Sequence, residues 1–369
     1  MYDLVIIGAG AVGLCIARYF QVERGWQCLV VEKEADIGRG ISSRNSEVIH
    51  AGLYYLPGSL KANLCVEGKE QLYKYLERNN LPFRRCGKYV IASPDQEAEL
   101  RQLAERGSIN GVTDLELVEG KEIRRLYDQL SCYPALYSPS SGILSVDSWL
   151  RHLAGEFQAA GGDLVVLTRF TDMTTIPGGY DLVMMDAGGD TITIQAERVV
   201  NAAGLDSLDV ANQLGFDYAQ RDFLIKYCKG SYFKVPAARG LFRHLIYPLP
   251  DAKSLGIHVC LDLLDEVGLG PDAQYLAENV LDYTIDPSKE DEFRRQVCRY
   301  WPAVDQYILE PDWAGIRPHL FVGGEYHTDF YIAEESSAGC PGWVNLFGID
   351  SPGLTAAPAM GPYLETLWG

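Results

Sequence analysis

The stretch that decides the fold is Leu4-Val5-Ile6-Ile7-Gly8-Ala9-Gly10-Ala11-Val12-Gly13, completed by Leu29-Val30-Val31-Glu32. An apolar run reads as a buried strand, and a glycine-rich turn follows it. Val12, Ile16, Tyr19 and Phe20 then recur at helical spacing, before a second apolar run ends in an acid about twenty residues beyond the last glycine. This strand–turn–helix–strand–acid order is that of a dinucleotide-binding unit. Gly8 suits the tight turn, Gly10 lets the backbone approach a pyrophosphate, and Gly13 lets the helix lie close on the strand. Ala9, Ala11 and Val12 carry the turn into the helix, whose first N–H groups and positive dipole end favour an anion. Glu32, with Lys33 beside it, is placed to accept hydrogen bonds from ribose hydroxyls. A glycine-rich turn alone is weak evidence; both strands, the helix and the acid together make it specific. At this point the ligand is open between NAD and FAD.

Working outward, the chain does not continue as further strand–helix units. It enters the polar loop Gly40-Ile41-Ser42-Ser43-Arg44-Asn45-Ser46 and then Glu47-Val48-Ile49-His50-Ala51-Gly52-Leu53-Tyr54-Tyr55. Hydroxyl side chains, an amide and an arginine suit a second phosphate and a ring system, so Ser42, Ser43, Arg44, Asn45 and Ser46 are expected cofactor contacts. Nucleotide-like features return twice. A strand at 163–167 leads to an expected loop at 168–171 containing Phe170, and a buried strand at 199–201 ends in Ala202-Ala203-Gly204. Near the C-terminus a strand at 343–348 precedes Ser351-Pro352-Gly353-Leu354-Thr355 and a final helix. The N-terminus of that helix suits the negative charge of a reduced flavin. The order of these segments favours FAD over NAD. Two runs between 181 and 195 flank Ala187-Gly188-Gly189-Asp190 and read as a hairpin. Strands are also expected at 228–235 and 255–261.

Composition narrows the field. The 369 residues suffice for two ordinary domains, and 47 % hydrophobic content is that of a globular chain. A formal charge of −18 without a basic run speaks against nucleic acid as a partner. The nine cysteines show no Cys-x-x-Cys pair, which argues against zinc and a dithiol motif and for reduced core thiols. No metal site is expected. No apolar run reaches the ~18 residues of a membrane span, and the first strand begins almost at the first residue. The expectation is a cytoplasmic protein with at most peripheral contact at the inner membrane face.

Longer blocks carry a family resemblance. They include Arg44-Asn45-Ser46 with Val48-Ile49-His50-Ala51-Gly52, Tyr54-Tyr55 with Pro57-Gly58-Ser59-Leu60-Lys61-Ala62, and Lys229-Gly230-Ser231-Tyr232-Phe233. His244-Leu245-Ile246-Tyr247-Pro248, Gly256-Ile257-His258, Gly270-Pro271, Ala314-Gly315-Ile316-Arg317-Pro318 and residues 351–355 continue the series along the chain. With these blocks the chain resembles FAD-dependent oxidoreductases of the D-amino-acid oxidase and glycine oxidase superfamily, and within it the L-2-hydroxyglutarate dehydrogenase/oxidase branch. The resemblance implies an α/β fold of the glutathione-reductase/glycine-oxidase type, in which a Rossmann-like FAD-binding domain is interleaved with a mostly antiparallel β substrate domain. The expected FAD domain gathers residues 1–84, 144–221 and 312–369; the substrate domain takes 85–143 and 222–311.

The implied reaction oxidises a small anionic 2-hydroxy carboxylate, L-2-hydroxyglutarate or a relative, by hydride transfer to flavin N5. FAD is expected to be bound non-covalently, with oxygen or a quinone as final acceptor. Arg317 is the candidate for the substrate carboxylate, because a guanidinium is a rigid bidentate fork. Lys229 and Tyr232 are candidates for a second anionic group. Strand alternation puts residue 232 with 230 and Lys229 on the other face unless a bulge intervenes. Tyr247 is a candidate donor to substrate. Among six histidines, His50 and His258 fall in the family-like blocks and are the candidate bases, against the plainer role of packing beside the flavin. His152 falls on an expected helix and reads as structural. Rival readings are an amine or amino-acid oxidase of the glycine oxidase type, a glycerol-3-phosphate dehydrogenase-like enzyme, and a flavoprotein whose FAD is structural. A nicotinamide-only dehydrogenase ranks below these.

Overall fold

The computed structural model describes residues 1–131, 133–250 and 256–369. Cys132 and residue 255, at the start of one expected strand, lie outside the described residues. The strands Asp163–Val165, Cys28–Val31, Tyr2–Ile7, Thr191–Asn201 and Cys340–Phe347 lie side by side and parallel, in that order. The runs Leu4 to Ile7 and Cys28 to Val31 at the middle of this sheet are buried on both faces, which is why they read as continuous apolar segments rather than alternating ones. One face carries the helices Ala11–Arg18, Val146–Ala159 and Gly353–Trp368, with Phe20, Phe157 and Trp149 fully buried among them. Burial of each such phenylalanine contributes roughly 1.5–3 kcal/mol. The other face is covered by the antiparallel strands Thr168–Ile176 and Gly179–Asp186, which run into Thr191–Asn201.

The expected hairpin is present, with its turn at 187–190. The expected loop at 168–171 is instead the start of the strand Thr168–Ile176. Thr168 pairs with Asp186, and the only irregularity is a register shift between Phe170 and Asp172. Its alternating burial, with Thr168 and Phe170 inward, is a half-buried strand pattern spread over too many residues for a loop. His152 does lie on a helix, with Nδ1 2.8 Å from the Tyr75 hydroxyl. Of the eight described cysteines all are free, and only Cys298 is not buried.

A second sheet, mostly antiparallel, carries ten strands among the described residues, with Lys88–Ile91 lying between Leu245–Pro248 and Ala135–Ser138. Its longest pairing joins Phe223–Lys234 to Glu310–Val322, with Gly230 opposite Gly315. The boundary expected at residue 312 thus falls inside a strand of the second sheet. The chain returns to the first sheet at Tyr331–Glu335. The fold is the interleaved α/β arrangement, a parallel nucleotide-type sheet roofed by an antiparallel one.

The C-terminal helix contains Pro358 and Pro362. Each proline removes one backbone donor, so tertiary packing must hold the helix. Gly68, on the helix Leu60–Arg78, lies so close that a Cβ there would sit 2.3 Å from the Thr355 carbonyl oxygen. No described helix is long and apolar enough to cross a membrane.

Candidate active site

A cavity of about 550 Å³ opens where the parallel strands end and the second sheet arches over them. Ile7, Val31, Ala202 and Ala203 bring the strand ends into its wall, the usual place for a ligand in such a sheet. Gly8, at φ +108°, approaches the neighbouring strand end so closely that a Cβ would lie 2.6 Å from the Ala202 carbonyl oxygen. A Cβ at Gly13 would lie 2.0 Å from the Gly8 carbonyl oxygen, so that glycine is demanded by helix–strand contact. Gly10 meets Ser42, whose Oγ would be 3.0 Å from an added Cβ and accepts a hydrogen bond from the Ala11 N–H at 2.9 Å. Buried Glu32 accepts hydrogen bonds from the N–H groups of Ala9 and Glu34, at 2.8 and 2.9 Å. The acid therefore shapes the turn itself while lining the cavity.

Gly8, Gly10, Ala11, Val12, Glu32, Lys33, Ser42, Arg44, Asn45, Ser46, Phe170, Ala203 and Gly204 all line the cavity. So do Ser351, Pro352, Gly353 and Leu354, the last two being the first residues of the C-terminal helix. Four of the expected cofactor contacts stand elsewhere. Ala9 and Gly13 are covered by their own turn and helix. Ser43 points outward and bonds the Gly40 carbonyl at 3.3 Å. Thr355 is buried behind the wall, where its Oγ1 accepts the His50 N–H at 3.0 Å. Lys33 has its ammonium tied to Asp206.

The cavity brings together His50, His258, Tyr247, Tyr232 and Arg317 from five separate segments of chain. Arg317 donates through Nη2 to the Asp272 carbonyl at 2.8 Å and contacts Cys228 Sγ at 3.5 Å. Tyr232 stacks on Trp313 with ring centroids 3.8 Å apart, and Tyr247 stacks on His258 at 3.7 Å. Lys229 does not join them. The bulge in its strand falls later, between Ser231 and Phe233, so alternation turns Lys229 away and its ammonium pairs with Asp282 at 2.9 Å.

Both cavity histidines are held neutral. His258 is lowered from the usual 6.5 to about 3, chiefly by burial, with the Gly256 carbonyl opposing and the charges of Lys88 and Arg317 adding to the fall. Burial, then the charges of Lys88 and His258, push His50 well below its usual value. His258 Nδ1 lies 3.1 Å from the Gly256 carbonyl oxygen, which can only accept, so the ring's proton sits on Nδ1. Nε2 of His258 and Nδ1 of His50 are buried and have no partner among the described residues.

The sequence assigns no site role to several lining residues: Gly230, Pro271 and Gly315, which stand within the family-like blocks, and Tyr283 and Asp350. Gly230 makes room for Arg317, since a Cβ would lie 3.3 Å from its Nη2. A Cβ at Gly315 would lie 2.2 Å from the Arg44 carbonyl oxygen, and the Arg44 guanidinium covers the Tyr283 ring at 3.9 Å. The pair Gly230 and Gly315, facing each other in register, was legible as two glycines in long β-rich segments, where glycine marks close approach. Asp350 is buried and bonded to Lys61 at 2.7 Å, a pairing 289 residues apart that no local pattern shows.

A glycine cradle, a helix N-terminus whose N-cap residue Gly10 has no side chain to cap it, and a cavity long enough to reach the second sheet fit an extended dinucleotide. Comparison with known proteins agrees. Residues 3–367 match the family of FAD dependent oxidoreductases, and the chain belongs to that family. It is an FAD-dependent enzyme. Among its relatives is the mitochondrial L-2-hydroxyglutarate dehydrogenase of Arabidopsis thaliana, 35 % identical over 98 % of this chain and 82 % of that protein. Among solved structures, the dithionite-reduced, FAD-bound L-alpha-glycerophosphate oxidase of Mycoplasma pneumoniae superposes with a TM-score of 0.84 at 22 % identity, covering all of this chain and 94 % of the other. Glycine oxidase from Bacillus cereus superposes with a TM-score of 0.79 at 21 % identity, over 100 % and 97 % of the two chains. At these identities the structures establish the fold.

Proposed function

We propose that this enzyme oxidises L-2-hydroxyglutarate, or a closely similar 2-hydroxy dicarboxylate, to the 2-oxo acid. The observation that carries the reading is the convergence, on one cavity, of the Arg317 guanidinium with two imidazoles kept in the neutral form. The name and 35 % identity of the plant relative supply the substrate class. FAD, held along the glycine turn, Glu32 and the Ser42-to-Ser46 loop, supplies the acceptor for the hydride leaving Cα.

The protein's own part is orientation and proton transfer. Arg317 grips the substrate carboxylate; among the described residues its hydrogen bonds use Nη2, so the rest of the fork serves a ligand. The hydroxyl proton passes to a neutral imidazole, that of His258 or His50, as the C–H bond breaks. Tyr232 and Tyr247 wall the site with their stacked rings. The N-terminal end of the C-terminal helix, which lines the cavity through Gly353 and Leu354, would favour negative charge on a flavin bound there. Electrons then leave to oxygen or a quinone, and the protein works in the cytoplasm or against the inner membrane face.

An anaerobic titration tests this. The flavin band near ~450 nm of the purified protein should bleach with L-2-hydroxyglutarate and persist with the D-isomer, amino acids and glycerol-3-phosphate. Bleaching by an amino acid alone would replace the hydroxy-acid reading with an amine oxidase.

A further inference from the structure

Lys88 is fully buried on a strand of the second sheet that is paired on both sides, an unusual place for an ammonium. Its Nζ has no hydrogen-bond partner, and no carboxylate pairs with it among the described residues. It lies instead over two aromatic rings, 4.5 Å from the centroid of Tyr54 and 4.8 Å from that of Tyr247. Tyr247 is the ring on which His258 stacks, 3.7 Å away and tilted by 17°. Lys88 and Tyr247 come from the adjacent parallel strands Lys88–Ile91 and Leu245–Pro248, so sheet register holds the arrangement. A cation–ring–imidazole series thus runs from the protein core to the cavity wall.

We propose that Lys88 is a positioning residue for the reaction: it fixes the Tyr247 ring beneath His258 and sets positive charge behind both cavity histidines, so that they stay unprotonated and able to accept the substrate's proton. This rests on the assignment of a histidine base above. Two features support the electrostatic half. The groups around the ammonium are Tyr54, Tyr247, Cys65, Cys86, Ser138 (its partner across the sheet), His50 and His258, and none is a carboxylate. Burial brings Lys88 down to about 7, with Cys65 and Cys86 opposing. As pH falls below neutrality, therefore, Lys88 gains its proton first, and its charge then resists protonation of the imidazoles.

The test uses the intact holoenzyme. Rates of flavin reduction by L-2-hydroxyglutarate are measured anaerobically against pH for the wild type, Lys88→Met and Lys88→Arg. Loss of the charge should move the acid limb up by about one pH unit, roughly a tenfold loss at acid pH with little at alkaline pH, and Arg should restore the profile. A Lys88→Met profile that is lowered equally at every pH, or that overlays the wild type, overturns the proposal. Carbon-13 NMR of wild-type protein labelled at lysine and histidine decides independently of turnover, and also if the Met variant does not fold. The His258 resonances should inflect where Lys88 titrates; a Lys88 titration to which His258 is indifferent sinks the idea. Failure of the substrate reading appears separately, as a wild-type flavin that no hydroxy acid bleaches while the NMR coupling is present.

Discussion

Ser351 Oγ lies 3.3 Å from His50 Nε2, joining the loop after the N-terminal nucleotide turn to the start of the C-terminal helix. The same helix start holds the His50 backbone, since Thr355 Oγ1 accepts its N–H. One end of the chain therefore orients a histidine from the other. His50→Asn keeps a polar side chain of similar size and removes the titrating nitrogen. It should slow flavin reduction by about a hundredfold or more while FAD stays bound. Because His50 is held well below its usual value by burial and by the charges of Lys88 and His258, the neutral base persists as pH falls. The wild-type rate should therefore stay level through pH ~6.5. Stopped-flow reduction across pH reads both, and an acid limb centred at the free histidine value would remove His50 and His258 as the base.

Arg317 is anchored on the Asp272 carbonyl and given space by Gly230. Truncation to Ala should raise the KM for the hydroxy acid by about a hundredfold with FAD content unchanged, the loss expected for a charge-assisted fork. Lys should recover only part, since a point charge lacks the fork's geometry. An unaltered KM in the Ala variant would move the carboxylate elsewhere in the cavity.

How much of this was legible in advance depends on locality. The glycine turn, the acid after the second strand and the parallel strands declared themselves because each is a short contiguous pattern with a fixed period. The strand Thr168–Ile176 was half missed, because its polar, β-branched outer face resembles loop composition until its partner strand is known. Lys229 was named for its charge and block, yet side-chain direction in a strand depends on where the bulge falls, and that is set by pairing with Glu310–Val322. Asp350, with partner Lys61, and the series from Lys88 through Tyr247 to His258 join residues far apart in the chain. Such contacts exist only once the sheets are assembled.

Gly13 and Gly315 are demanded by backbone, not by flexible side chains. A Cβ would lie 2.0 Å from the Gly8 carbonyl oxygen in the first case and 2.2 Å from the Arg44 carbonyl oxygen in the second. Gly13→Ala should push the helix off its strand and cost roughly 1–3 kcal/mol or more, lowering the melting temperature and the FAD recovered with the protein. Gly315→Ala should displace the Arg44 loop from the second sheet, so that FAD is lost more readily while the fold's stability changes less. Flavin absorbance per protein and thermal melting, measured on both variants, separate the two effects. A Gly315→Ala protein that keeps FAD as tightly as the wild type would show that this contact does not secure the loop.

The buried histidines also predict how the fold responds to acid. His258 is lowered by burial to about 3 and His319, mainly by burial, to about 4, and His50 is lowered as well. In the unfolded chain each titrates near ~6.5. Between those values the unfolded state holds protons that the folded state refuses, so stability falls as pH drops below ~6.5, by up to about 1.4 kcal/mol per pH unit for each histidine. Above ~6.5 both states are neutral at these positions and the histidine contribution is flat. Glu47, raised by burial, acts in the opposite sense at lower pH, so the cleanest window is from about 6.5 to 5.5. Denaturant midpoints taken across that window should decline toward acid, and His258→Gln should make the decline shallower, since His50 and His319 still contribute. Midpoints that hold constant from pH ~7 to ~5.5 would mean that these imidazoles are protonated inside the folded protein, and with it that they are unsuited to act as bases.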